Sequence, residues 1–376
     1  DLNDQYGVHL ISSDNNLISR NSFCNITTGN GAYFEESSQN SFVENQVFAN
    51  YDLGILIDRS CKNILRNNTI YNNPQGVAIS GSSEENLLTG NFVSGCNFAI
   101  SIAQANNNTI AENAIRKNSV RGIYLNSTRY NNIRKNDVSG CPVGILLESC
   151  MNTRLSLNRL HDNNNGISLL DSNHNNLSEN NIVRSDTGIN LDRSSNNNLQ
   201  YNDLSANNDG IIIASCTQNT LQKNTVTSKD SSIGLISSRW CNITENRVHN
   251  SRQGIKMVNC SFNQLYLNEI RQNNEGLYLD EGIYPQQSSD NILYLNSFMN
   301  NSLDVNSYIS TNSWNSPREI SYWFEGKTFE NRLGNYWQGT LMQDENHDGV
   351  SDLNHNIGTN IDENPLMEPA AQYTII

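Results

Sequence analysis

Positive charge is scarce in this chain. It has 24 Lys and Arg against 38 Asp and Glu over 376 residues, for a net charge of −14. Nucleic acid and anionic membrane surfaces are therefore excluded as partners, because both are held by clustered cations. No apolar run approaches the ~20 residues that a transmembrane helix requires. Only 36% of residues are hydrophobic and only 16% are charged. The eight Cys form no C-x-x-C pair, which removes the usual structural-zinc spacing. The chain starts at Asp1 in a polar stretch, so any signal peptide is expected to have been removed or never present, and a start without Met favours a trimmed chain.

Asn fills the deficit, with 67 residues. Asn-rich chains are often disordered, but here branched aliphatics recur among the amides at fixed spacing. Asn21, Asn45, Asn68, Asn91, Asn113, Asn136, Asn158, Asn180, Asn202, Asn224, Asn246, Asn268 and Asn296 lie 22 to 24 residues apart, except for the last step of 28. An apolar residue stands three before each (Leu199 before Asn202) and another two after it (Leu204). A Gly usually opens a short apolar strand eight or nine residues later, as in Gly144-Ile-Leu-Leu147 and Gly210-Ile-Ile-Ile213.

This period, without helical spacing, predicts an all-β, right-handed, single-stranded parallel β-helix of about 13 coils over residues 1–302. Leucine-rich repeats share the period, but their L-x-x-L-x-L frame is missing. The recurrent Asn is expected to form an internal ladder, each amide bonding the rungs above and below. Asn202 is thus scaffold rather than ligand contact. Cys96 and Cys141 occupy equivalent positions two coils apart, beyond disulfide reach. Cys150, Cys216 and Cys260 share another position. Cys216 with Cys241 is the single pairing entertained, and the rest are expected to be buried thiols. Sequons at Asn25, Asn67, Asn107, Asn126, Asn176, Asn242, Asn259 and Asn300 permit glycosylation but are no more frequent than chance allows.

After residue 302 the period fails. Residues 303–376 carry Trp314, Trp323 and Trp337 among Tyr and Phe, and read as an aromatic-rich cap over the open end of the solenoid. Within the cap, Asp344, Asn346, Asp348, the Val350 carbonyl and Asp352 reproduce the 1-3-5-7-9 oxygen pattern of a calcium loop, with Gly349 at position 6. His355 stands where a complete EF-hand has Glu, and Asp362 or Glu363 is the alternative that would complete the shell. Ca2+ is the expected ion, and an ordinary Asp/Asn turn is the plainer alternative.

Asn312, Trp314 and Pro317, then Gly334 with Trp337, Asp344 to Asp352, and Pro365 with Met367, follow a pattern. Together with the coils, they resemble the NosD-type parallel β-helix proteins, also grouped as carbohydrate-binding and sugar-hydrolase repeats. The C-terminal string is similar to secreted NosD-like proteins of methanogenic archaea. The resemblance implies a cell-surface or extracellular location. The family name also implies copper handling, which needs clustered His, Met or Cys. The six His residues are instead dispersed along the repeat.

Two functional readings remain. The first is a surface protein that binds carbohydrate or envelope protein. It would use the outward strand position two after the Gly, where Tyr124, Leu146, Ile212 and Tyr278 stand, with Tyr284 in the adjoining insertion after Asp280. The same lateral face offers a route to homo-oligomers. The second is a polysaccharide lyase, hydrolase or epimerase using Glu148, Asp171 and Asp192 from three consecutive coils, with Arg193 assisting. Acids are also common in solvated turns, which is the plainer account of these three.

Overall fold

The computed structural model describes residues 5–280, 287–307 and 309–376. It divides into two compact units, Asp1–Asn197 and Asn198–Ile376. Both are built from parallel β-helix turns at the predicted period, most with one six-residue strand and two three-residue strands.

In the first unit the long strands run from Tyr6–Ile11 to Thr187–Asp192. Their register is in phase, so Ile55, Val77, Ile100, Ile123, Ile145, Ile167 and Ile189 form one inward column. The apolar residues flanking each Asn make two more columns, Leu65-Leu88-Ile110-Ile133-Leu155-Leu177 and Ile70-Val93-Ile115-Val138-Leu160-Ile182, all fully buried. Each such side chain contributes about 1.5–3 kcal/mol by leaving water.

The corners explain the composition. A residue with φ near +55°, such as Asn67 or Lys135, turns the chain between the two short strands. The next residue is the ladder Asn. Its Oδ1 accepts the backbone N–H of the Asn one turn earlier, and its Nδ2 donates to the Oδ1 of the Asn one turn later. For Asn91 the bonds are Asn68 N–H at 2.9 Å and Asn113 Oδ1 at 3.0 Å. A buried corner thereby keeps its polar groups satisfied without water. The strand Gly has its own cause: a Cβ on Gly54 would sit 2.5 Å from the Gly76 carbonyl.

Stacks occur at other corners too. One runs Asn40, Asn63, Asn86, Asn108, and another Ser37, Ser60, Ser83. Cys150 is a rung of the Ser stack, and Cys96 and Cys141 are rungs of a third stack that holds Asn50 and Asn73, each N–H bonded to the Asn or Ser of the next turn. None of the eight Cys, all within the described residues, is in a disulfide, so the entertained Cys216–Cys241 pairing does not form. Burial pushes the Cys96 thiol up to about 11, and those of Cys141 and Cys150 upward.

In the second unit the long strands begin at Asp209–Ala214, and the ladder runs Asn202, Asn224, Asn246, Asn268, Asn296. It continues past residue 302: Asn296 Nδ2 donates to Asn335 Oδ1 at 2.9 Å, and Tyr336–Trp337 pairs with Ser297–Met299. The rest of the C-terminal segment forms an antiparallel sheet of Ile320–Phe324, Lys327–Asn331 and Thr374–Ile375, plus the hairpin His355–Ile357 with Asn360–Asp362. Trp314, Tyr322 and Trp337 are buried there, Trp337 stacking on Phe298, whereas Trp323 is exposed.

Candidate functional site

The first unit carries the predicted acids on one edge of the long-strand sheet. Glu148 ends the strand Val143–Glu148, and its register partner is Leu170, which in turn pairs with Asp192. Glu148 and Asp192 are thus two turns apart, about 10 Å at the interstrand spacing. Asp171 lies one residue beyond the column, at a corner with φ +48°. The Arg193 guanidinium donates to Asp171 at 2.9 and 3.2 Å and to Asp192 at 2.7 Å. Glu148 stands apart from this group and accepts the Tyr124 hydroxyl at 2.6 Å. The edge therefore holds a neutralised Asp–Arg–Asp cluster and a separate Tyr–Glu pair, with Leu170 between their turns.

Tyr124 belongs to a small platform. The Arg121 guanidinium lies 4.1 Å from its ring centroid and 5.5 Å from that of Phe98, which is one strand away. Burial, and then the Glu148 carboxylate, raise the Tyr124 hydroxyl above its ordinary value, so it remains a donor. An aromatic face flanked by a fixed donor and acceptor suits a ligand with one apolar side and hydroxyl edges. Leu146, the next residue in this column, keeps only 7% of its surface.

In the second unit Ile212 is half-buried over Gly234, and the Lys256 ammonium is 5.9 Å from the Tyr278 ring. Tyr284 lies outside the described residues.

The Asp344–Asp352 loop folds as nested turns. Asp344 accepts the N–H groups of Asp348 and Gly349, Asn346 accepts Asp348 N–H, and Asp348 accepts Val350 N–H at 2.8 Å. Asp352 accepts Glu345 N–H. Asn331 and Asn346 both donate to the second oxygen of Asp348, tying the loop to the cap. Gly349, at φ +87°, makes the bend. The donors are all oxygen, as calcium requires, yet the four side chains among them each accept an N–H. Among the described residues no three His, Cys, Asp or Glu side chains group as a metal shell.

Sequence reasoning missed three features of the second unit. Asp362 is buried at the end of the Asn ladder. A cleft of about 460 Å³ is lined by Glu245, Arg247, Glu269, Met299 and Ala370. Trp240 and Phe262 stack on the surface at successive corners. The only signal for the last was two successive bulky aromatics at a corner where most coils carry polar residues and Tyr130 is the other aromatic.

A family profile described as "Periplasmic copper-binding protein (NosD)" matches residues 2–121, 115–225 and 202–341. No curated protein matches by sequence. Among solved structures, the A-module of the Azotobacter vinelandii mannuronan C-5 epimerase AlgE6 superposes with TM-score 0.58 at 10% identity, covering 75% of this chain and 88% of that one. A double mutant of the periplasmic alginate epimerase AlgG gives 0.52 at 15% identity, over 79% and 73%. At these identities the likeness is one of fold. The copper of the family description does not fit the described residues: His161 is engaged by Asp137 and Asp162, His9 by Glu35, and six Cys are buried as rungs of the corner stacks.

Proposed function

The chain belongs to the NosD family, and from that premise we propose that it is an extracytoplasmic β-helix protein that binds polysaccharide of the cell envelope. The observation that carries the reading is the Phe98–Tyr124 platform with Arg121 above it and Glu148 fixed beside it. A sugar ring stacks its C–H face on an aromatic and hydrogen-bonds at its rim, and this platform offers both on a regular, rigid sheet. The periplasmic description of the family and the alginate-acting names of the fold neighbours are in keeping with it.

Catalysis is not assigned. Asp171 and Asp192 share Arg193, and Glu148 is held by Tyr124, so the edge lacks a free acid and a free base facing one bond. The test is affinity electrophoresis across neutral and acidic polysaccharides, with product analysis. Retardation without depolymerisation, weakened about tenfold in Tyr124→Ala, is expected. Depolymerisation that disappears in Glu148→Gln would replace binding with enzymatic processing. No retardation by any polymer would end the proposal.

Calcium in the Asp344–Asp352 loop is part of the same proposal, with Asp344, Asn346, Asp348, the Val350 carbonyl and Asp352 as ligands. It is supported by the all-oxygen donor set wrapped around the Gly349 bend. Association of two copies through a lateral face is the competing use of that surface. It would appear as concentration-dependent sedimentation.

A further inference from the structure

On the second unit, Trp240 and Phe262 occupy successive corner positions, with ring centroids 5.9 Å apart and planes within 12° of parallel. They are 54% and 48% exposed. Both adopt left-handed backbone, φ +55° and +60°, which is unfavourable for a bulky side chain. Equivalent corners nearby carry Gln218 and Asp290, polar residues suited to a solvated turn. Stacking is worth about 0.5–1.5 kcal/mol to the pair, yet about half of each residue stays open to water.

The Phe262 ring also lines a cavity of about 300 Å³ together with Arg239, Asn259, Gln287 and Asp290. Elsewhere on this unit, cations and acids one turn apart are paired: Lys223 with Glu245, Arg247 with Glu269, Arg252 with Asp230. Among the described residues, Arg239 and Asp290 make no ion pair, and their side chains make no hydrogen bond, although they line the same cavity. One cation, one anion and two amides around an aromatic face complement a neutral ring with hydroxyls on its rim. The two charges offset each other, so the cavity gives neither a uronate nor a cationic sugar a net electrostatic advantage.

We propose that Trp240, Phe262 and the cavity beside them form a glycan subsite for a neutral pyranose chain. The rings stack the sugar, and Arg239, Asn259, Gln287 and Asp290 hydrogen-bond its hydroxyls. This deepens the polysaccharide-binding reading but rests on different residues, in the second unit, so either site can fail alone.

The test uses the full chain, titrated with neutral glucan and mannan hexasaccharides and with hexamannuronate, followed by calorimetry and by tryptophan fluorescence in a Trp323→Phe background, which leaves Trp240 as the exposed tryptophan. The variants are Trp240→Asn and Phe262→Asn, because Asn tolerates left-handed backbone and keeps the corner folded. A neutral hexasaccharide is expected to bind and to quench fluorescence. Its affinity should fall about tenfold in each variant and stay unchanged in Asn107→Gly, an exposed corner outside both sites. Loss in Tyr124→Ala with no change in the two Asn variants would overturn this subsite while leaving the other intact. Preference for hexamannuronate, or no binding of any probe, would overturn it as well. So would dimerisation of the wild-type chain that both Asn variants abolish, since the aromatics would then be a self-association patch.

Discussion

Replacing Asn91 by Ala removes one rung from the first unit's ladder and nothing else from the chain's course. The consequences can be read bond by bond. Asn91 Oδ1 accepts the backbone N–H and the Nδ2 of Asn68, both at 2.9 Å, and its Nδ2 donates to Leu65 O at 2.8 Å. In the variant Asn68 Nδ2 keeps Phe42 O, and Asn113 Oδ1 keeps the backbone N–H of residue 91. The Asn68 N–H and the Leu65 carbonyl both lose this partner in a dry corner. At about 1–3 kcal/mol for each uncompensated group, the expected loss is about 2–6 kcal/mol, a large share of a domain's ~5–15 kcal/mol. Urea unfolding followed by circular dichroism measures it. Because repeat arrays unfold less cooperatively, hydrogen exchange at the Asn68 amide gives the local reading. The control is Asn107→Gly, an exposed left-handed corner where Gly is suited and a change within ~0.5 kcal/mol is expected. A loss at Asn91 no larger than at Asn107, or an Asn68 amide that stays protected, would refute the claim that the ladder holds the coils.

Burial lifts the Asp362 carboxyl to about 6 in spite of its N–H donors. The folded chain therefore holds that proton more tightly than an unfolded chain with pKa ~4. The resulting stability is fully present below pH ~4 and is lost as pH rises through about 6. Tryptophan-monitored unfolding of the cap should show this slope between pH 7.5 and 4.5 and lose it in Asp362→Asn. For the thiols, burial holds Cys241 at about 12 and Cys260 at about 11. Alkylation of the native chain near pH 8 should thus reach only the part-exposed Cys24 and Cys61, and denaturation should release all eight. Calcium at 100 times its dissociation constant should raise the unfolding free energy by about 2.7 kcal/mol, with the gain absent in Asp348→Ala. A flat calcium titration by thermal melting would withdraw the ion.

The fold was legible because a β-helix writes its period directly into the chain. An inward apolar residue on either side of Asn91 or Asn202 can lie in only one place. The Cys and Ser stacks were harder to see, because Asn, Ser, Thr and Cys interchange as rungs and dilute any single-residue periodicity. Asn335 escaped because it joins the ladder 39 residues after Asn296, across a segment with no repeat. The acids could be placed on one edge from register alone. That Arg193 would bind both Asp171 and Asp192, leaving Glu148 to Tyr124, depended on rotamers that spacing does not fix. Trp240 and Phe262 sat in a corner column whose residues vary from turn to turn, so nothing marked them until their rings were found stacked.

The ladder has a direction: each rung hands its amide hydrogen to the next, toward the C-terminus. In the second unit it ends where Asn335 N–H donates to Asp362 at 2.8 Å, alongside Trp337 Nε1 at 2.9 Å. An ionised Asp receives and has nothing to pass on. A 22-residue module spliced between Asn224 and Asn246 would be read through, its amide taking a place in the relay. One appended after Asn335 would meet a stop. Such a chain can change length by internal duplication while its last word stays the same, and copy number in this unit is free upstream of Asn335 but closed at its end.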